Sequence, residues 1–237
     1  KVLQAGIRIK RYFIRKKKKW DTFIKRRHKF RYLKEKSSLP KLFSMPRDVE
    51  YTKYYLKLPV SENQVLFESK HGDDVAGNIF HMLMAMKTEQ FRRLDVYLTL
   101  CEELMDMWQE RLLRYGIDFV TILPYNSTAY LKMLATAKYL VTDTSLASYY
   151  IKRDGQVYLN TWHGTPLKAM GRIVPQREYA LGNVQRNFMI ADYLLYQNGF
   201  SRDVFLDDYM IREFYQGKIM LSGYPRNSAF FASERRE

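Results

Sequence analysis

The segment QVYLNTWHGTPLKAMGR, residues 156–172, joins an apolar stretch to a loop of unusual composition. Its first part, residues 156–162, is rich in the β-branched and aromatic residues that favour strands. The part that follows combines His163 and Lys168 with two glycines and a Gly-Thr-Pro sequence, which neither a buried strand nor a surface helix accommodates. The segment therefore predicts a strand that ends at a polar loop.

Similar apolar stretches of strand length alternate with amphipathic stretches from residue 64 onward. Because a single helix between two strands returns the chain to the same edge of the sheet, such strands run parallel. The sequence therefore predicts an α/β fold with a doubly wound, Rossmann-like parallel sheet. The expected strands are 64–69, 93–100, 117–123, 138–143, 156–162, 192–198 and 218–222, with helices over 77–88, 102–114 and 127–137 and a short helix between 143 and 156.

The composition narrows the class of protein. The chain has 237 residues, 46% of them hydrophobic, which is enough for a sizeable core. Its one cysteine, Cys101, excludes an intrachain disulfide, and four histidines with one cysteine are too few for a structural zinc site, so we expect no metal or other cofactor. No apolar run reaches the roughly 18 residues that a bilayer requires. The chain begins at Lys1, and we expect it to be a piece of a longer protein.

The net charge of +15 is concentrated at one end of the chain. Residues 1–43 contain 17 of the 40 basic residues and 2 of the 25 acidic ones. The stretch SSLPKLFSMP, residues 37–46, has the composition of a boundary. We therefore expect a basic, amphipathic helical arm over residues 1–43 and a globular unit over residues 44–237.

The arm interleaves aromatic residues such as Phe13, Trp20 and Phe23 with its cations. A basic helix with aromatic anchors suits an anionic membrane surface, and this is the partner that we expect. The same composition suits nucleic-acid phosphates, although no nucleic acid is expected. A solvated linker whose aromatics pack on the next domain is the remaining interpretation.

The polar loop after residue 162 has the residues of an anion-binding and proton-accepting site. Open parallel sheets bind ligands beyond the carboxyl ends of their strands, where His163 and Gly164 are expected. Thr165 and Pro166 are suited to start a helix, whose free N–H groups and Lys168 would attract a phosphate. His163 would serve as a base near neutral pH. The alternative is that His163 binds a loop carbonyl and that Lys168 is only solvated.

At this point the sequence resembles a known family, the CDP-glycerol glycerophosphotransferases of teichoic acid synthesis in Gram-positive bacteria. WHGTPLKAMG (162–171) resembles the family's signature, and LFESKHGDDVAGN (66–78) resembles its Glu-Ser-x-x-Gly segment with a following Asn. The segment from residue 183 to residue 231 resembles the stretch that contains Gly-Tyr-Pro-Arg. The chain departs from the family at Ile79, where proline is usual, which puts the local turn in doubt.

The resemblance implies a transferase with a GT-B architecture, two Rossmann-like domains that face each other across a cleft. An acceptor hydroxyl would attack the β-phosphorus of CDP-glycerol or CDP-ribitol and release CMP, with His163 as general base. The acceptor would be lipid-linked or polymeric, at the cytoplasmic face of the plasma membrane. The donor would bind mainly to a second domain after the Gly-Tyr-Pro-Arg segment, and we expect this chain not to include that domain. We therefore expect the chain alone to be the acceptor-side half and to be inactive.

The resemblance also marks residues on the two flanking segments as candidates for binding substrate or phosphate. Each has a structural alternative: a turn for Gly72, a helix cap for Ser69 and Asn78, a surface ion pair for Arg226. The candidates, together with Gly164, Thr165 and Lys168, are Glu68, Ser69, His71, Gly72, Asn78 and Arg226.

Two other functions fit the sequence less closely. One is a GT-B transferase that uses a nucleotide sugar. The other is a non-catalytic interaction module in which the arm is a tether and the Rossmann-like unit a scaffold.

Overall fold

The computed structural model describes residues 45–75, 77–175 and 181–231. The chain divides into two compact units, Lys1–Pro46 and Arg47–Glu237, and the second contains all the elements described here. The predicted basic arm over residues 1–43 lies outside the described residues, so its helical character stays a prediction.

A parallel sheet of seven strands forms the centre of the second unit, which confirms the predicted Rossmann-like class. The order across the sheet is β3-β2-β1-β4-β5-β6-β7, so the direction of winding reverses between β1 and β4. In such sheets the crevice at this reversal is the usual ligand site. The strands are β1 (Ser61–Glu68), β2 (Asp95–Leu100), β3 (Val120–Pro124), β4 (Ala137–Thr142), β5 (Val157–Asn160), β6 (Tyr193–Tyr196) and β7 (Lys218–Leu221).

In the described part of the chain six α-helices accompany the strands, and each contributes buried apolar residues to a hydrophobic core. One hydrophobic core packs α1, α4, α5 and α6 on one face of the sheet, and a second core packs α2 and α3 on the other. The helices are α1 (Arg47–Lys57), α2 (Gly77–Ala85), α3 (Met105–Arg114), α4 (Thr128–Thr136), α5 (Gly182–Ile190) and α6 (Gly199–Asp208). Short 3₁₀ turns occur at Lys70–Gly72, Glu89–Phe91, Glu102–Leu104, Gly171–Ile173 and Pro225–Phe230.

Two of the helices begin at side-chain caps that the sequence provides. The Oγ of Ser127 accepts from the backbone N–H of Tyr130 at the start of α4, at 3.2 Å. At the start of α6, Asn198 Oδ1 accepts from the N–H of Ser201 at 2.9 Å. Each cap satisfies a backbone donor that the helix cannot pair internally. The caps therefore fix where these helices leave the strand ends.

The predicted helix between β4 and β5 is wrong. Residues 143–156 form an irregular connection, yet β4 and β5 still pair in parallel. Side chains replace the helical hydrogen bonds: Gln156 Nε2 donates to the carbonyl of Ala137 at 2.8 Å, and Arg153 donates to the carbonyl of Leu58 at 2.6 Å. Tyr150, buried in the core, anchors the middle of the connection.

Helix α1 was not predicted from the sequence, because Arg47–Lys57 carries mostly polar residues and follows the expected boundary. Its one buried residue is Tyr51, whose hydroxyl donates to the carbonyl of Ile151 at 2.9 Å. The helix therefore closes over the irregular β4–β5 connection. No helix in the described residues is long and apolar enough to cross a membrane.

Candidate functional site

A row of buried polar side chains crosses the carboxyl-terminal edge of the sheet. Parallel register places Glu68 beside Thr99 on β2 and beside Thr142 on β4, and Thr142 beside Asn160 on β5. All four residues are essentially inaccessible to solvent. Burying polar groups is costly unless they are hydrogen-bonded, so a row of four at the reversal of the sheet marks this edge as the candidate site.

Asp143, directly after β4, connects the loops that follow three strands. Its carboxylate accepts from the Oγ of Ser69 at 2.8 Å and from the backbone N–H of Lys70 at 2.9 Å, both in the loop after β1. Burial raises the pKa of this carboxyl group, and the two hydrogen bonds and the charge of His163 oppose that shift. Sequence reasoning missed Asp143, although its position at the end of the predicted strand 138–143 was a usable signal.

The loop after β5 holds His163 in one tautomer. Its Nδ1 lies 2.7 Å from the backbone carbonyl oxygen of Asp143, and because a carbonyl only accepts, Nδ1 carries the proton. The imidazole stacks on the ring of Trp162, with ring centres 4.3 Å apart. In the neutral ring Nε2 therefore bears the lone pair, and the residue is exposed at the rim of the sheet. The bond to a loop carbonyl is the structural alternative expected for His163, and it orients the ring with Nε2 as its accepting nitrogen.

The predicted helix after Thr165 is wrong. Residues 165–170 are not helical, and the next regular turn is the short 3₁₀ segment Gly171–Ile173. The hydroxyl of Thr165 accepts a hydrogen bond from Gln197, the residue after β6, and therefore does not cap a helix. Without helical N–H groups, Lys168 is the remaining member of the predicted anion-binding site. Its side chain is exposed and makes no hydrogen bond or ion pair with the residues that the structure describes.

Asn78 and Arg226 fasten the loop that carries His163. The side-chain amide of Asn78 donates to the carbonyl of Trp162 at 3.1 Å, and its oxygen accepts from the N–H of Arg226 at 3.4 Å. The guanidinium group of Arg226 donates to the carbonyl of His163 at 3.0 Å. Neither expected alternative, a helix cap for Asn78 or a surface ion pair for Arg226, is what the structure contains.

A tyrosine beside Arg226 completes this fastening. Tyr224 is buried, and its hydroxyl donates to the carbonyl of Gly164 at 3.3 Å. The guanidinium of Arg226 lies over the Tyr224 ring, 5.1 Å from its centre. The loop after β7 thus holds the carbonyls of both His163 and Gly164.

The loop after β1 carries a second oriented histidine. Nδ1 of His71 donates to the Glu68 carboxylate at 3.3 Å, and the hydroxyl of Tyr130 donates to its other oxygen at 2.6 Å. The hydrogen bond between His71 and Glu68 raises the pKa of His71, and burial opposes the increase. Gly72 has a φ of +89° and lies against Tyr125 and the backbone of Cys101, which no side chain would permit.

Cys101 lies behind this loop and is not suited to nucleophilic catalysis. Its thiol donates to the Asp73 carboxylate at 3.3 Å. Burial and the neighbouring Asp73 raise the pKa of the thiol to about 11. Because the thiolate is the reactive form, the thiol is inert near neutral pH.

The candidate residues thus fall into two groups that meet at Asp143. His163, Gly164, Asn78 and Arg226 form one hydrogen-bonded group, and Glu68, Ser69 and His71 form the other. Lys168 and Thr165 lie on the exposed continuation of the first group. In the part of the chain that the structure describes, no three His, Cys, Asp or Glu side chains are placed to hold a metal ion.

Comparisons with known proteins agree with this fold. Residues 50–237 match the family described as CDP-Glycerol:Poly(glycerophosphate) glycerophosphotransferase, and the chain belongs to this family. It is 28% identical over 233 residues to the teichoic acid poly(glycerol phosphate) polymerase of Bacillus subtilis, which covers 94% of this chain and 29% of that protein. It is 27% identical to the teichoic acid glycerol-phosphate transferase of Staphylococcus aureus, over 75% of this chain and 44% of that protein.

A solved structure of the wall teichoic acid polymerase TagF has the same fold. The two superpose with a TM-score of 0.61 at 20% identity, over 78% of this chain and 45% of TagF. A share of that size agrees with one half of a GT-B architecture. The chain spans less than half of the length of each of these relatives.

Proposed function

We propose that this chain is the acceptor-side half of a transferase that moves glycerol phosphate, or ribitol phosphate, from a CDP-alcohol to a lipid-linked or polymeric acceptor in teichoic acid synthesis. The observation that carries the proposal is the oriented imidazole of His163 at the reversal of the sheet. Membership of the family supports it, as do the teichoic acid polymerases and transferases among the relatives. A structure of a variant of TagF has also been solved after a soak with CDPG.

In the proposed reaction, Nε2 of His163 accepts the proton of the acceptor hydroxyl. The hydroxyl oxygen forms a bond to the β-phosphorus of the CDP-alcohol, and the bond from that phosphorus to CMP breaks, with its electron pair on the CMP oxygen. The imidazolium that results is stabilised by the carbonyl of Asp143, which stays bonded to Nδ1. A positioned general base contributes about 10²- to 10⁴-fold to such a reaction.

The remaining residues of the site position this base and bind anionic groups. Asn78 and Arg226 bond the carbonyls of Trp162 and His163, so they fix the loop rather than contact the reacting atoms. Exposed Lys168 supplies positive charge for a phosphate of the donor or acceptor. Gly164 and Thr165 lie between His163 and Lys168 in the sequence and let the backbone approach that phosphate.

The place of action in this proposal is the cytoplasmic face of the plasma membrane, where the basic arm binds anionic lipid next to the lipid-linked acceptor. The support is the density of cations and aromatic residues in residues 1–43.

A transfer assay on the full-length protein tests the proposed function. His163→Ala is compared with wild type in the presence of CDP-glycerol and a poly(glycerophosphate) acceptor. His81→Ala is the matched control, because the one hydrogen bond of His81 among the described residues is to the carbonyl of Gly77 within its own helix, at 3.0 Å. The proposal predicts a loss of about 10²-fold or more for His163→Ala and little change for the control. Transfer from UDP- or GDP-sugars instead of CDP-glycerol would favour the nucleotide-sugar alternative.

A further inference from the structure

The second histidine of the site, His71, is held by its own hydrogen bonds and has no part in the proposed reaction. Nδ1 donates to Glu68, and Glu68 is fully buried with its other oxygen bonded to Tyr130. Because Nδ1 is engaged, Nε2 is the nitrogen left for a ligand, and the side chain is 47% exposed. This imidazole belongs to the loop after β1, at the same edge of the sheet as His163, and Asp143 interacts electrostatically with both histidines.

The backbone that carries His71 is strained and firmly held. Lys70 and His71 adopt left-handed φ values of 45° and 57°, which non-glycine residues rarely do. Lys70 N–H bonds Asp143, Gly72 N–H bonds the carbonyl of Ser69 at 2.8 Å, and the N–H of Cys101 bonds the carbonyl of Gly72 at 2.9 Å. Such strain persists only where the surrounding structure determines it, and it concentrates at functional sites.

The charges around His71 decide which ligand it suits. Three carboxylates act on the imidazole: Glu68 from β1, Asp143 from the end of β4 and Asp73 from its own loop. The remaining neighbours are neutral or turned away: Tyr125 and Cys101 are protonated, and the ammonium of Lys70 pairs with Asp74 at 2.7 Å. Like charges repel a phosphate from this side of the crevice. A hydroxyl is neutral, donates to the neutral imidazole and accepts from the imidazolium, so it binds in either charge state.

We propose that His71, oriented by Glu68, binds the hydroxyl of the acceptor's polyol unit that stands next to the hydroxyl under attack. The site would then read a vicinal diol, with His163 on the reacting hydroxyl and His71 on its neighbour. This inference rests on the proposed function. It makes His71 a residue that determines acceptor specificity and leaves phosphate binding to the side of the crevice with Lys168.

Two small probes that differ by one hydroxyl test the inference on the whole chain. Glycerol 3-phosphate has the vicinal diol, and 3-hydroxypropyl phosphate lacks the middle hydroxyl. Titration of each probe is followed by the NMR signals of the histidine rings. We expect glycerol 3-phosphate to bind about three- to tenfold more tightly, the effect of one hydrogen bond, and to shift the His71 ring signals.

The key variant is His71→Asn, because asparagine tolerates the left-handed backbone and is too short to reach the same ligand. It should remove the preference between the probes, whereas His81→Asn should retain it. Equal affinity of the two probes for wild type, a preference that survives in His71→Asn, or no binding of either probe would overturn the inference. The first two results leave the proposed function intact, since that is decided separately by the transfer assay on His163→Ala.

Discussion

Nδ1 of His163 donates to the backbone carbonyl of Asp143 at 2.7 Å, across the gap between the loops after β5 and β4. The side chain of Asp143 bonds Ser69 and Lys70, in the loop after β1. One residue therefore holds the three loops that surround the reversal of the sheet.

The first prediction concerns the close approach at Gly72. A Cβ there would lie 2.8 Å from Tyr125 Cβ and 3.0 Å from Cys101 N, at a φ of +89°. Gly155→Ala is the matched control, because its φ is +87° and no atom lies within 4 Å of its Cβ. Left-handed strain costs both variants about 1–2 kcal/mol, and overpacking costs Gly72→Ala about 1–3 kcal/mol more. Urea unfolding measures the difference, and equal losses would contradict the packing described.

The second prediction concerns the fastening of the His163 loop. Asn78→Ala leaves the carbonyl of Trp162 and the N–H of Arg226 without their partner, which should lower the free energy of unfolding by about 1–3 kcal/mol. Arg226→Ala should cost less, since its side chain is only partly buried. Because Asn78 and Arg226 share one network, the double variant should lose less than the sum of the single variants. Strictly additive losses would show that the two residues act independently.

The third prediction concerns pH. Hydrogen bonding to Glu68 raises the His71 pKa above its ordinary value of 6.5, so proton binding stabilises the folded state. This contribution is fully present below about pH 6.5 and is lost as the pH rises through the folded pKa. His71→Asn should therefore destabilise the protein more at pH 5.5 than at pH 8. In an NMR titration, the pKa of His71 should be higher in the wild type than in Glu68→Gln. A His71 pKa unchanged by Glu68→Gln would remove Glu68 as the cause.

The fourth prediction concerns the basic arm. Each cation near an anionic membrane contributes up to about 1 kcal/mol, and salt screens it within a Debye length of about 8–10 Å. Co-sedimentation with anionic vesicles should therefore be strong at low salt and weak at high salt, and absent for zwitterionic vesicles. Deletion of residues 1–36 should abolish it. Retention of nucleic acid but not of vesicles would favour the nucleic-acid interpretation of the arm.

Much of the fold was predictable because it depends on local pattern. All seven strands were expected within a few residues, since each combines apolar residues with a turn or helix signal on either side. The strand predicted at 156–162 ends earlier, at Asn160. The side chain of Asn160 accepts from the N–H of Trp162 at 2.9 Å, and Trp162 turns the chain with a φ of 50°. The two predicted helices that do not form, and helix α1, which was not predicted, are determined by long-range contacts. Thr165 is bonded to Gln197, and Tyr51 to Ile151, across gaps that no local pattern reveals.

The site was predictable in its members but not in its connections. The segment that carries His163 was identified from its residues, and those that carry Glu68, His71, Asn78 and Arg226 from the resemblance to the family. The hydrogen bonds from Asp143 to the loop after β1 were not predictable, because they depend on the register of β1 against β4, two strands that are far apart in sequence. The roles of Asn78 and Arg226 likewise depend on the loops after β5 and β7 meeting in space.

Chemical rescue of His163→Gly in the full-length protein tests the central claim most directly. Removal of the imidazole should lower the transfer of glycerol phosphate by about 10²-fold or more. If Nε2 of His163 accepts the hydroxyl proton, added imidazole should restore part of the turnover, in proportion to its free-base form. Turnover of His163→Gly within a few-fold of wild type, or a deep loss that free imidazole does not relieve at any pH while the fold stays intact, would contradict the account.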